Sequence, residues 1–158
     1  MMTQSTPSQS TTASPMPGGP QSGANNDQDR LARGRRALDS IDGEAGHNVI
    51  AALADIAPDF ATYVIEFPFG DIYSRPGLDL RSREIATIAA LTALGNASPQ
   101  LKVHIHAGLN VGLSRDEITE VIMQMAVYAG FPAALNGLFA AKAVFAEADA
   151  KAAEAARI

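Results

Sequence analysis

Three histidines and no cysteine leave this chain a short cast of side chains for chemistry. Without thiols there is no structural disulfide, no thiolate nucleophile and no zinc site built on thiolates. The work falls to His, Asp, Glu, Arg and Tyr. Glu84 stands out because Ile88 and Leu91 follow four and seven residues later, on the same face of a helix. That spacing puts a carboxylate at the lip of an apolar stripe. Partial burial there would raise its pKa and suit it to proton transfer. The plainer reading is that Glu84 pairs with a nearby arginine. Arg81 and Arg83 fall in the first turn of the same helix, where the helix dipole prefers acids. A helix N-terminus carrying two guanidiniums, joined by Arg75 from just upstream, would hold a carboxylate. The same arginines also read as a salt-bridged surface turn with Asp71, Asp79 or Glu84.

His104 and His106 are two residues apart, so on a helix they point in different directions and make a poor pair of metal ligands. No metal site is expected from this pair. His104 shares a face with Ala107, Gly108 and Val111, mostly small residues that let another helix approach. It is either a hydrogen-bonded structural residue or a catalyst. His106 and His47 carry less promise. Gln124 and Tyr128, four apart on one face, read most simply as polar groups of the core with local partners.

The elements that must position these residues are helices. Apolar spacing predicts a first helix over Asp27 to Ile41, broken by Gly43 and Gly46, and a second over about His47 to Ala54. A third follows, with Pro58 in its first turn, where a missing N–H costs little. Pro68, Gly70, Pro76 and Gly77 make the stretch from Pro68 to Asp79 a loop or a broken helix. Asp79 caps the helix from Arg81 to Leu94, which Gly95 ends. From Ile85 that helix is almost wholly apolar, so it is expected to be surrounded by protein. Ser98 and Pro99 open the next helix, which ends near Gly112. Ser114 and Glu117 then form a capping box. Gly130 ends the following helix, and Pro132 opens an Ala-rich last one. No stretch alternates with period two. The fold expected is all-α, an antiparallel bundle of about six helices joined by short connections.

The 158 residues suffice for one domain. A net charge of −5 argues against a nucleic-acid or anionic-membrane surface, both of which call for basic patches. No apolar run approaches the length of a membrane span. Residues 1–26 contain no charged side chain and few apolar ones, so they read as a disordered tail ahead of one domain over 27–158. The tail lacks the marks of a secretory signal or transit peptide, so a cytoplasmic location is expected.

Several of these pieces occur in one order. The run from Gly70 to Glu84 contains Ser74-Arg75-Pro76-Gly77-Leu78-Asp79-Leu80-Arg81 and leads into an apolar helix ending Ala93-Leu94-Gly95. Leu101, His104, Ala107 and Gly112 follow, then Ser114-Arg115-Asp116-Glu117-Ile118, then Gln124 with Tyr128, Gly130, Pro132, Ala133 and Ala134. Together they resemble the carboxymuconolactone decarboxylase family, within the wider alkylhydroperoxidase D-like group, over about Arg33 to Glu147. One branch of that group uses a Cys-x-x-Cys pair; the matching positions here are Ala97 and Gln100, so peroxidase chemistry is excluded.

The resemblance implies a helical homo-oligomer, a trimer or hexamer. It also implies cofactor-free decarboxylation of 4-carboxymuconolactone to 3-oxoadipate enol-lactone in aromatic-acid breakdown, the β-ketoadipate pathway. Glu84 and His104 would be catalytic, and Arg75, Arg81, Arg83 and Tyr128 would bind substrate. Phe69 and Tyr73 stand where the family often has Trp, and His106 where it often has Arg. A related proton-transfer reaction on another small carboxylate, or a non-catalytic binding or assembly role on the same scaffold, would leave much of this pattern intact. A catalyst should bring Glu84, His104 and an arginine to one pocket. A scaffold should satisfy Glu84 with arginine and pack His104 away from solvent.

Overall fold

A computed structural model describes residues 23–157. Among them are seven α-helices, one π-helical segment and no strand. The helices are α1 (Gly23–Ile41), α2 (Gly43–Ala52), α3 (Pro58–Val64), α4 (Leu80–Leu94), α5 (Ser98–Asn110), α6 (Arg115–Ala129) and α7 (Phe131–Ala155). The count is seven rather than about six. Residues 1–22, most of the expected tail, lie outside the described residues, and α1 begins four residues ahead of Asp27.

The caps follow their chemistry. Asp79 accepts from the Ser82 N–H at 2.8 Å and from the Ser82 hydroxyl at 2.9 Å, opening α4. Gly95 closes it in the left-handed region at φ 71°. Ser114 and Glu117 complete the capping box of α6. A single residue, Gly130, joins α6 to α7, which fold back on each other.

Residues Ile65–Tyr73 form a π-helix continuing α3, so the helical path runs on into the first part of the stretch from Pro68 to Asp79 expected to be a loop or broken helix. Pro68 lies inside it. Proline lacks an N–H and crowds the carbonyl four residues back, and the wider π turn relieves that crowding without ending the helix. The segment packs closely on α1: a Cβ on Gly34 would collide with the Ile65 carbonyl oxygen, and one on Gly70 would lie 2.8 Å from that of Arg30. The two backbones meet because neither glycine has a side chain. Arg30 and Arg33 bond Asp71 across the same seam.

Among the described residues there are two buried apolar clusters. The larger joins α4 to α7 through Ile88, Leu101, Ile105, Leu113, Ile118, Ile122 and Val144. Each fully buried aliphatic side chain there contributes on the order of 2 kcal/mol. The smaller joins α1, the π-segment and α5 through Leu38, Ile41, Phe69 and Ala107. Helix α4 is not surrounded on all sides within the single chain. Glu84, Ile88 and Thr92 are buried, whereas Ile85 and Leu94 are exposed, Leu94 by 64%.

Candidate active site

The junction between α1 and α2 sets the first side chain. Gly43, at φ 52°, makes the turn, and Asp42 occupies the cap position of α2. An Asp there normally accepts a backbone N–H from the next turn. Asp42 makes no such bond and is buried, 5% exposed. Gly46 lies inside α2 rather than breaking it, and its missing Cβ makes room: a methyl there would sit 2.6 Å from the Asp42 Cβ.

Helix α4 supplies Glu84, completely buried, and α5 supplies His104. Glu84 Oε2 is 3.0 Å from His104 Nδ1. The other Glu84 oxygen, Oε1, and Asp42 Oδ1 are buried with no hydrogen-bond partner among the described residues. One ligand atom from each of Asp42, Glu84 and His104 falls within 4.8 Å of the others. Such a trio has the donor types to hold a cation, although Glu84 Oε2 is already engaged by the imidazole.

Burial dominates the electrostatics. It pushes the Asp42 carboxyl up to about 6, with the Glu84 charge adding and the His104 charge opposing. Burial alone would depress His104, but the Glu84 hydrogen bond and the Glu84 and Asp42 charges outweigh it and hold the imidazole above its ordinary value. The Tyr73 phenol is pushed well above its usual range by burial and then by the Glu84 charge, so it remains a donor. Thr87 Oγ1 donates to the Arg83 carbonyl at 2.9 Å and so accepts from the Tyr73 hydroxyl at 2.7 Å.

A cavity of about 600 Å³ opens beside this cluster. Asp42 and His104 line it; Glu84 does not, and stands behind the imidazole. The rest of the wall is mainly apolar, including Leu38, Ile50, Phe60 and Phe69, with Tyr73 and Thr87 at one side. With Nδ1 taken by Glu84, Nε2 is the His104 nitrogen left for a ligand.

The structure thus brings Glu84 and His104 together and leaves the other sequence candidates apart. Arg75, Arg81, Arg83 and Tyr128 do not line the cavity. Arg81 donates to the Gly112 carbonyl and to Glu117 at 2.6 Å. Arg83 donates to the carbonyls of Arg75 at 2.9 Å and Leu78 at 3.3 Å, and lies 5.9 Å over the Tyr73 ring. Arg83 is therefore one side chain removed from the cavity, and Arg75 is exposed. Tyr128 and Gln124 are exposed rather than in the core, Tyr128 by 76%. His47 pairs with Asp39 and His106 with Glu147 on the surface. Sequence reasoning missed Asp42. Between Ile41 and Gly43 it reads as an ordinary cap, and only its failure to cap marks it out.

Comparison with known proteins places this geometry. Residues 58–143 match the model of the carboxymuconolactone decarboxylase family, a span that holds Glu84 and His104 but not Asp42. The chain is 36% identical over 121 residues to a 4-carboxymuconolactone decarboxylase of Acinetobacter baylyi, covering 76% of this chain and 90% of that one. It is 32% identical over 123 residues to an uncharacterized 15.0 kDa protein of Paracoccus denitrificans, covering 77% and 92%. A nitrosuccinic acid decarboxylase of Metarhizium robertsii is 29% identical over 75 residues, 48% of this chain and 52% of that one. With matches of this extent, the chain belongs to the carboxymuconolactone decarboxylase family.

Proposed function

We propose that this protein decarboxylates a small carboxylated lactone without a cofactor, with 4-carboxymuconolactone as the leading substrate and 3-oxoadipate enol-lactone and carbon dioxide as products, in aromatic-acid catabolism in the cytoplasm. The chain is a carboxy-lyase, as are the named decarboxylases among its relatives. The observation that carries the reading is the Glu84–His104 pair, buried on one side and facing an apolar cavity on the other.

Loss of carbon dioxide turns a localised carboxylate charge into an enolate spread into the lactone carbonyl. The substrate is its own electron sink. Apolar walls penalise the localised charge more than the dispersed one, which lowers the barrier to leaving. His104, its pKa raised by Glu84, offers Nε2–H in its charged form to the developing enolate oxygen. Glu84 fixes the orientation of the ring from behind.

Of the features separating a catalyst from a scaffold, two favour a catalyst. Glu84 is bonded by His104 rather than by an arginine, and His104 faces the cavity. The arginine is the missing part: no Arg or Lys lines the cavity among the described residues. That favours, as a second reading within the class, an acid with one carboxylate near His104 and an apolar body.

Assembly as a homo-oligomer, a trimer or hexamer, is part of the proposal. Leu94, Val127, Phe131 and Phe139 are each more than 60% exposed on α4, α6 and α7, which pack together. Soluble monomers rarely leave so much apolar surface uncovered. Sedimentation equilibrium of the full chain tests this, and a monomer at micromolar concentration would contradict it. Carbon dioxide release from 4-carboxymuconolactone tests the reaction itself.

A further inference from the structure

We propose that Asp42 is the acid that delivers a proton to the substrate carbon once carbon dioxide has left, an inference that rests on the decarboxylase reading above. Of the three clustered groups, Asp42 and His104 face the cavity and Glu84 does not. The imidazole is tied to Glu84 through Nδ1, and that bond with the nearby carboxylate charges holds its pKa above the ordinary value. It is therefore suited to holding an enolate oxygen. Tyr73 and Thr87 also line the cavity, but their hydroxyl protons are spent on Thr87 Oγ1 and the Arg83 carbonyl. Asp42 is the cavity-facing acid whose proton is not committed to such a bond.

Four observations support this role. Asp42 is 5% exposed, yet its Oδ1 has no partner among the described residues. Its side chain forgoes the cap bond open to it at the start of α2. Gly46 leaves out the methyl that would collide with it. A second orphan carboxylate oxygen, Glu84 Oε1, belongs to the same cluster. Two buried carboxylates this close resist both being charged, and one bound proton relieves them. The groups facing Asp42 are Glu84 from α4, His104 from α5 and Tyr73 from the π-segment. Glu84 keeps the proton on Asp42, His104 draws it off, and burial decides in favour of keeping it, with the carboxyl near 6.

The step balances. The bond between carbon and the departing carboxylate breaks, and its electron pair enters the lactone enolate. The enolate carbon then takes the hydrogen of the Asp42 carboxyl, whose O–H electron pair stays behind as carboxylate. Solvent returns the proton through the cavity mouth. The sum is one carboxylate and one proton converted to carbon dioxide and a C–H bond, with no oxidant or reductant.

The test compares full-length wild type, Asp42→Asn and Asp42→Glu with 4-carboxymuconolactone across pH 4.5 to 8.5. The wild-type kcat should fall as pH rises through about 6, because the loaded acid is lost. Asp42→Asn should lower kcat by roughly 100-fold, with KM little changed, and abolish that limb. Asp42→Glu should restore part of the rate and the limb. An Asn variant that keeps kcat and its pH profile overturns the proposal. Alongside this, ¹³C NMR of carboxyl-labelled protein follows Asp42 directly, its resonance assigned by its loss in Asp42→Asn. Titration near pH 6 upholds the proton-loaded acid. Titration in the ordinary aspartate range overturns it, whether or not this lactone is turned over. An inactive wild type would count against the substrate, and the titration would still decide Asp42.

Discussion

Glu84 and Ile88 are one turn apart on the same face of α4, and both are completely removed from solvent. Ile88 enters the cluster of α4 to α7, where burial is favourable at every position. Glu84 enters the junction of α1, the π-segment and α5, where a carboxylate loses its hydration and regains one imidazole bond. Thr92, a turn beyond Ile88, is also buried with its hydroxyl unpartnered. The same helix thus builds a dry core that stabilises and a polar pocket that does not. Burying a charge costs several kcal/mol even when it is paired. The contrast teaches that stability and chemistry are assigned to neighbouring but distinct regions of the bundle, so the two should answer differently to substitution.

The largest stability effect is expected in the dry core. Ile122→Ala removes a side chain with no solvent contact and should cost roughly 2–5 kcal/mol in urea unfolding. The Asp42 pH profile in the folded enzyme should be unchanged. A cost below about 1 kcal/mol would mean that this cluster collapses around the gap and is not the main support of the fold.

Next comes the polar pocket, where the sign is set by protons. Asp42 has a folded pKa near 6 against 3.8 as a free side chain, so the native state holds its proton more tightly. Its contribution is fully present below about pH 3.8 and is lost as pH rises through about 6. The loss is on the order of 3 kcal/mol, two pH units at about 1.4 kcal/mol each. His104, raised above its ordinary value, loses its own contribution in the same direction at higher pH. Asp42→Asn should flatten the wild-type decline between pH 4 and 6 and unfold at higher urea than wild type at pH 8. An unchanged slope would show that Asp42 is as solvated as an ordinary surface aspartate.

The smallest effect is expected at the arginines of α4. Arg81 is 45% exposed in its side chain and bridges to Glu117, so Arg81→Ala should cost about 1 kcal/mol or less. Arg83→Ala sharpens the comparison further, since Arg83 stacks on a cavity residue without lining the cavity. A KM within about threefold of wild type is expected if it acts only through Tyr73. A rise beyond tenfold would place a guanidinium on the substrate carboxylate in the working enzyme.

What was legible in the sequence was local. The caps at Asp79 and Ser114, the stop at Gly95 and the all-helical class follow from one-turn chemistry that needs no tertiary contact. Glu84 was legible because Ile88 and Leu91 mark its face as inward. His104 was visible as a polar residue among small ones. The arginines were flagged by an electrostatic oddity, charges against the helix dipole. The structure answers it with Glu117, 36 residues away, and with backbone carbonyls rather than Asp71, Asp79 or Glu84. Asp42 was illegible because its significance depends on α1 and α2 bending around Gly43 to face a carboxylate 42 residues along the chain. The π-segment was hidden for a similar reason. Proline reads as a breaker, and only the close seating on Gly34 shows why the helix continues through it.

The most direct measurement is carbon dioxide release from freshly prepared 4-carboxymuconolactone by wild type and by His104→Ala, both shown to be folded. Expected is release well above the spontaneous rate, falling by roughly 100-fold or more in the variant. Release no faster than the spontaneous rate from folded wild type would contradict this substrate, and equal rates from both proteins would contradict the place given to His104.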